Sequence, residues 1–162
     1  MTRRKFNTVA TGGTFDELHV GHLALLSKAF EISNKVIIGV SSDEFAAKVK
    51  GKRNLNHDYE QRVRNLKKII RQKFGGNVNY SIVKLNTEFG PTVTHGSVDA
   101  LIASTDTANK GIEINKIRTK NSLNPIAIVA VDIVKAADGS PISSTRIRAG
   151  EIDPVGKILK SK

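Results

Sequence analysis

The sequence predicts an open α/β fold, a parallel sheet wound by helices on both faces. Three observations lead there. Apolar, β-branched runs recur along the 162 residues. Several of them lack polar alternation, so both faces of those strands have to be covered. Between them lie segments whose apolar residues fall at helical spacing.

Taken in order, the first strand is expected at Asn7 to Thr11, followed by a helix over His22 to Ile32 with Leu23, Leu26 and Phe30 on one face. The run "VIIGV", Val36 to Val40, is the second strand. A long helix over Asp58 to Phe74 aligns Val63, Leu66, Ile69, Ile70 and Phe74. Strands follow at Tyr80 to Leu85 and Ala100 to Ala103, then a weaker helix over Asn109 to Lys120 with Ile112 and Ile117 as its inward positions. "IAIVAVDIV", Ile126 to Val134, is the last strand. Strand and helix alternate throughout, the pattern of a Rossmann-like, doubly wound parallel sheet. With no internal repeat or low-complexity linker, residues 1–162 are expected to form one domain, ending in a short basic tail from about residue 154, "PVGKILKSK".

Composition removes several classes of chemistry. The chain has no cysteine, so disulfides, thiolate metal sites and thiol catalysis are excluded, as suits a reducing cytoplasm. The opening "MTRRKFNTVATGG" is basic without an apolar stretch of signal-peptide length, and no later run approaches the ~20 apolar residues of a membrane span. A soluble, cytoplasmic protein with no membrane partner is expected. Lys plus Arg number 26 against 15 acids, a net charge of +11, which attracts phosphorylated small molecules and nucleic acid alike. The basic residues are also scattered as on an ordinary solvated surface. Aromatic residues make up only 5%, with no tryptophan, which argues against a stacking platform and against nucleic acid as the partner.

"ATGGTFDELHVGH", Ala10 to His22, falls where the first strand gives way to the first helix, the place where doubly wound sheets bind ligands. Gly12 and Gly13 lack a Cβ and let backbone approach a phosphate, while helix N-terminal amides favour an anion. Thr14 can donate its hydroxyl. His19 and His22 can stabilise charge growing on a phosphoryl group, and Gly21 between them leaves space for a flat ring. A purely structural account competes: glycines that shape a turn, Asp16 as a cap, histidines at the surface. His19 and His22 could instead ligate a metal, but His57 and His95 are distant in sequence, so no protein-held metal is expected. Near the other end, "DGSPISSTRIRAG" offers Ser143, Ser144 and Thr145 at a helix start, with Arg146 and Arg148 as forks for phosphate oxygens. An ordinary Ser/Thr cap followed by surface arginines accounts for the same residues equally well.

Together, "GGTFDELHVGH" and "ISSTRIR" resemble the two signature motifs of the nucleotidyltransferase superfamily that carries a HxGH-type loop. With "GVSSDEFAAKVKGK", "DYEQRV", "FGPTV" and "EINKIRTKNSLNPIAIVAVD", the pattern is similar to the archaeal type of phosphopantetheine adenylyltransferase from about Thr8 to Asp153. The resemblance implies a nucleotidyltransferase-type fold and adenylyl transfer from ATP to 4'-phosphopantetheine by direct in-line attack, giving dephospho-coenzyme A and pyrophosphate. It implies Mg²⁺ held largely by nucleotide oxygens and water. By the same resemblance His22 contacts the α-phosphate and His19 supports it. Thr14 orients the attacking phosphate, the Phe15 backbone faces ATP, and Gly21 admits adenine. Ser143, Ser144, Thr145 and Arg146 bind the outer phosphates. A lysine after the second strand is implied to bridge the substrates: Lys48 is the first choice and Lys50 the second, and spacing does not separate them from Lys52. Arg62 matches a family position and reads equally as a helix-surface arginine.

One stretch departs from the pattern. Bacterial members carry an arginine-containing "RGLR" after the fourth strand, whereas this chain has "IASTDTANKG", so Ser104, Thr105, Lys110 and Arg118 become candidates for that phosphate contact. The motifs specify nucleotidyl transfer better than the acceptor, which leaves nicotinamide mononucleotide, a flavin nucleotide or glycerol phosphate as alternatives, and a non-catalytic RNA-binding module as a more distant one. Oligomeric state is left open.

Overall fold

The computed structural model describes residues 4–48, 51, 54–90, 97–105 and 107–159. Its sheet has five strands: β1 (Phe6–Gly13), β2 (Ser33–Ser41), β3 (Tyr80–Leu85), β4 (Ala100–Ser104) and β5 (Ala127–Val131). They lie in the order β3-β2-β1-β4-β5 with every pairing parallel. Five helices accompany them: α1 (Val20–Ile32), α2 (Asp43–Lys48), α3 (Tyr59–Phe74), α4 (Lys110–Lys120) and α5 (Ser144–Arg148). This is the expected Rossmann-like arrangement. The order reverses at β1, which places the switch point beside the glycine-rich turn.

The alternation of side chains divides the strands between two cores. Val9, Val36, Val40 and Ile102 meet Leu26 and Phe30 of α1 and Leu66 and Ile70 of α3 on one face. Ala10 and Ile37 meet Val98, Ile114 of α4 and Ile126 on the other. Helix α3 begins where Asp58 accepts the Gln61 amide at 2.8 Å and ends at Gly75, whose φ of 82° only glycine adopts readily.

Three local expectations are corrected. Leu25, not Leu23, packs against the α1 core with Leu26 and Phe30. In α4, Ile112 is 68% exposed and the buried positions are Gly111, Ile114 and Arg118. The spacing 111, 114, 118 is helical, but a glycine and an arginine on the inner face conceal it from an apolar count. Gly111 is required there because a Cβ would come within 2.4 Å of Ile128. The last strand also stops at Val131, after which the chain leaves the sheet and turns back at a bridge between Lys135 and Pro141.

Arg62 is buried outright. Its Nη1 donates to the carbonyls of Thr14 and Ser41 at 2.8 Å each, its Nε to the carbonyl of His57 at 3.2 Å, and its Nη2 to Asp43 at 2.8 Å. It thus gathers the ends of β1 and β2, the start of α2 and the approach to α3. The surface reading of Arg62 is therefore overturned.

Candidate active site

A cavity of about 490 Å³ opens at the carboxyl ends of β1, β2 and β4. Its floor is the second face of the sheet, where Ala10, Gly12 and Gly39 present little or no side chain beside Ile37. The glycines are needed for packing: a Cβ on Gly39 would lie 2.7 Å from Leu85, and one on Gly12 3.2 Å from the same side chain. Small residues here hold the sheet surface low and keep the space open.

At the head of the cavity the chain turns from β1 into α1. Phe15 takes a left-handed φ of 56°, an uncommon conformation for a bulky residue, and buries its ring in the main core. Beside it, Thr14 is 6% exposed and its Oγ1 has no hydrogen-bond partner among the described residues. A buried hydroxyl left in that condition is unfavourable by about 1–3 kcal/mol. It lines the cavity, where an anionic oxygen would satisfy it.

His19 is the N-cap of α1, accepting the Gly21 amide on Nδ1 at 3.0 Å. His22 reaches back so that its Nδ1 accepts the His19 amide at 3.3 Å. The two rings stack with centroids 3.9 Å apart, and Phe15 closes on His22 at 5.0 Å. Both Nδ1 atoms act as acceptors, which leaves the Nε2 edges to carry the proton. Burial lowers the His19 pKa from 6.5 to about 4, so this ring is a neutral donor near pH 7. Gly21 leaves room for the ring itself: a Cβ there would lie 2.7 Å from His19 Cε1 and 3.3 Å from Ile142.

The second motif closes the cavity from above. Ser143 caps α5 by accepting the Arg146 amide at 3.2 Å, and it lines the cavity with Pro141 and Ile142. Ser144 donates to the Glu17 carbonyl at 2.8 Å, and Arg148 donates to Asp16 at 2.8 Å. These contacts bind the two motifs into one structure. Asp16 also accepts the amides of Asn56 at 3.1 Å and His57 at 2.9 Å. Burial pushes the Asp16 carboxyl up, but the Asn56 amide, the Arg148 guanidinium and the His57 amide and ring outweigh it and hold the pKa below the ordinary value. Asp16, Glu17 and His57 lie close enough to share a metal, yet Asp16 is already satisfied by these donors.

A family model described as cytidylyltransferase-like matches residues 10–150. The phosphopantetheine adenylyltransferase of Methanothermobacter thermautotrophicus is 44% identical over 158 residues, 98% of this chain and 93% of the relative. That of Thermococcus kodakarensis is 42% identical over 161 residues, 99% of this chain and 95% of the relative. This chain belongs to the phosphopantetheine adenylyltransferase family. Among solved structures, a protein of unknown function from Archaeoglobus fulgidus matches with a TM-score of 0.68 and 31% identity, over 77% of this chain and 89% of that one.

Of the residues that the phosphopantetheine adenylyltransferase pattern implies, the cavity brings together Thr14, His19, Gly21, His22 and Ser143. The others are placed differently. Ser144 is bonded to Glu17, and Thr145 accepts from Arg148 at 3.2 Å. Arg146 pairs with Asp138 and donates to the Pro141 carbonyl at 3.1 Å, so it braces the loop that carries Ser143. Arg148, read from the sequence as a phosphate fork, is engaged by Asp16 instead. Lys48 is exposed at the end of α2 and does not line the cavity, while Lys50 and Lys52 lie outside the described residues. Of the candidates after β4, Ser104 and Lys110 line the cavity and Thr105 does not; Arg118 is buried, with Nε donating to the Asn124 carbonyl at 2.7 Å. Sequence reasoning passed over Glu88, Thr107 and Asp132 in the lining. Only the folding of three separate loops onto one cavity unites them.

Proposed function

We propose that this chain transfers the adenylyl group of ATP to 4'-phosphopantetheine, releasing pyrophosphate and forming dephospho-coenzyme A. The observation that carries this reading is the Thr14 hydroxyl, unpartnered among the described residues, in the same cavity as the stacked His19–His22 pair and Ser143. A phosphate oxygen of the acceptor forms a bond to the α-phosphorus of ATP while the bond from that phosphorus to the bridging oxygen of the β-phosphate breaks. The electron pair leaves with pyrophosphate, so no enzyme nucleophile takes part.

His22, through Nε2–H, stabilises the charge that grows on the α-phosphate, and His19 fixes the His22 ring by stacking. Thr14 donates to the attacking phosphate and holds it in line. The Phe15 backbone and Gly21 face the nucleotide. Ser143, with the amides of Ser144 and Thr145 at the start of α5, receives the departing phosphates, and Arg146 keeps that loop in place. The lysine after β2, first Lys48 and then Lys50, is assigned to the substrates' shared phosphate region.

Mg²⁺ fits as a companion of ATP. The described cavity lining supplies only the carboxylates Glu88 and Asp132, with Glu88 paired to Lys110, so phosphate oxygens and water would be its ligands. When bound it neutralises triphosphate charge. No described helix is long and apolar enough to cross a membrane, and the lack of cysteine suits a cytoplasmic reaction.

Incubation with ATP, Mg²⁺ and separate phosphorylated acceptors tests the reading through pyrophosphate release. Release with 4'-phosphopantetheine supports it. Silence with that acceptor and release with nicotinamide mononucleotide, a flavin nucleotide or glycerol phosphate overturns it.

A further inference from the structure

The turn that carries Thr14 is strained, and the strain is held from outside the turn. Phe15 keeps a left-handed φ of 56°, a conformation that persists in a bulky residue only where its surroundings over-determine it. The residues on either side of it are pinned by one short stretch of chain. Arg62 Nη1 donates to the Thr14 carbonyl at 2.8 Å, and its Nε donates to the His57 carbonyl at 3.2 Å. His57 in turn holds Asp16. Its amide donates to Oδ1 at 2.9 Å, while its Nδ1 lies 3.2 Å from that oxygen and 3.1 Å from the Asp16 carbonyl. Both of these oxygens are acceptors, so Nδ1 carries the proton. Thr14, Arg62, His57 and Asp16 thus close a ring of contacts around Phe15.

The ring accounts for an otherwise unfavourable feature of the site. A threonine hydroxyl on a relaxed turn tends to find a nearby backbone group, yet Thr14 Oγ1 is buried without a partner among the described residues. Ser144 and Arg148 grip the far side of the same turn, at Glu17 and Asp16, so both of its flanks are fixed. His57 is absent from the cavity lining. It reaches the substrates only through this turn.

We propose that His57 is a positioning residue for the transfer: its Nδ1–H, set between the Asp16 carbonyl and carboxylate, holds Phe15 in its left-handed conformation and thereby aims the Thr14 hydroxyl at the attacking phosphate. This rests on the adenylyl-transfer reading above.

Initial rates of pyrophosphate release from ATP with 4'-phosphopantetheine test it in a cycle of wild type, His57→Phe, Thr14→Val and the double variant, each assayed well below its melting temperature. His57→Phe keeps a ring and removes the donor. It should lower kcat by about tenfold or more, the scale of a misaligned reactant, with KM for both substrates changed by less than about twofold. His57→Asn restores an N–H near the place of Nδ1 and should recover most of the rate. In the Thr14→Val background the His57→Phe change should cost less than about twofold, because the hydroxyl it acts through is gone. A merely structural role would cost the same in both backgrounds. An undiminished loss in the Thr14→Val background, an unchanged kcat in His57→Phe, or an effect confined to KM overturns the assignment. Should His57→Phe fail to fold, His57→Ala is read by the same criteria. A wild type silent with 4'-phosphopantetheine but active with another phosphorylated acceptor overturns the parent reading alone, and the cycle run on that acceptor decides His57; silence with every acceptor overturns both.

Discussion

Arg148 donates from Nη1 to Asp16 Oδ2 at 2.8 Å, across 132 positions of sequence, and the Asp16 side chain is completely buried. The loop before the first helix and the last helix are therefore one unit. Replacing Arg148 with Met should lower stability by about 3 kcal/mol, because it strips a charged donor from a buried carboxylate. The Asp16 pKa is depressed in the fold, so its stabilisation is present above the unfolded carboxylate value and is lost as pH falls through the folded one. In Arg148→Met the depression shrinks, and the acid-unfolding midpoint followed by circular dichroism should move to higher pH. An unmoved midpoint would show that the Asn56 and His57 amides alone suffice.

Thr14→Val preserves shape and removes the unpartnered hydroxyl. The variant should be as stable as the wild type or more so, by up to about 1 kcal/mol, while turnover drops by roughly tenfold or more. Thermal melts and initial rates on the same preparation check both halves, and a variant that loses stability contradicts the burial argument.

His22→Ala should lower kcat by ~100-fold or more, the scale of one transition-state donor, with much less effect on ATP affinity. Near-normal turnover would refute the assignment. If the chain were instead a nucleic-acid module, polyanion binding would survive this change and weaken steeply with salt.

His19 titrates at about 4 in the fold against 6.5 for an unperturbed histidine. Between those values the unfolded chain holds the extra proton, so stability should fall as pH drops from 6.5 towards 4 and level off below. Asparagine retains the N-cap function, so His19→Asn should flatten this part of the curve. Urea midpoints across pH 4–7.5 are the measurement, and parallel curves for the two proteins would reject a buried neutral imidazole.

Arg62→Leu removes the Nη1 donor to the Thr14 and Ser41 carbonyls. The expected loss is about 3 kcal/mol or more, and Arg62→Lys should recover only part of it because an ammonium lacks the planar fork. A chemical-denaturation series of the three proteins decides this.

The strands were legible because unbroken apolar runs mark a sheet covered on both faces, and Tyr80–Leu85 is found with the boundaries expected for it. Helix α2 was not, since six residues with only Phe45 and Ala46 buried give too short a pattern. The head of the site was legible from local spacing: Thr14, His19, Gly21 and His22 lie within a single turn of chain. The arginines were not. Whether a guanidinium faces a phosphate, a carboxylate or a set of carbonyls depends on loops remote in sequence, and Arg62, Arg146 and Arg148 each meet such partners. Lys110 stood as one of four candidates until the cavity separated it from Thr105 and Arg118.

Over Gly12 and Gly39 the described residues leave the cavity lying directly on the sheet's second face. Anything seated there lies against nearly bare backbone, so substrates become a temporary layer of the sandwich. A methyl group on Gly39 would crowd Leu85 at 2.7 Å, so filling the cavity from the sheet side would lower turnover and melting temperature together. The emptiness that admits substrate is also what the packing beneath it requires.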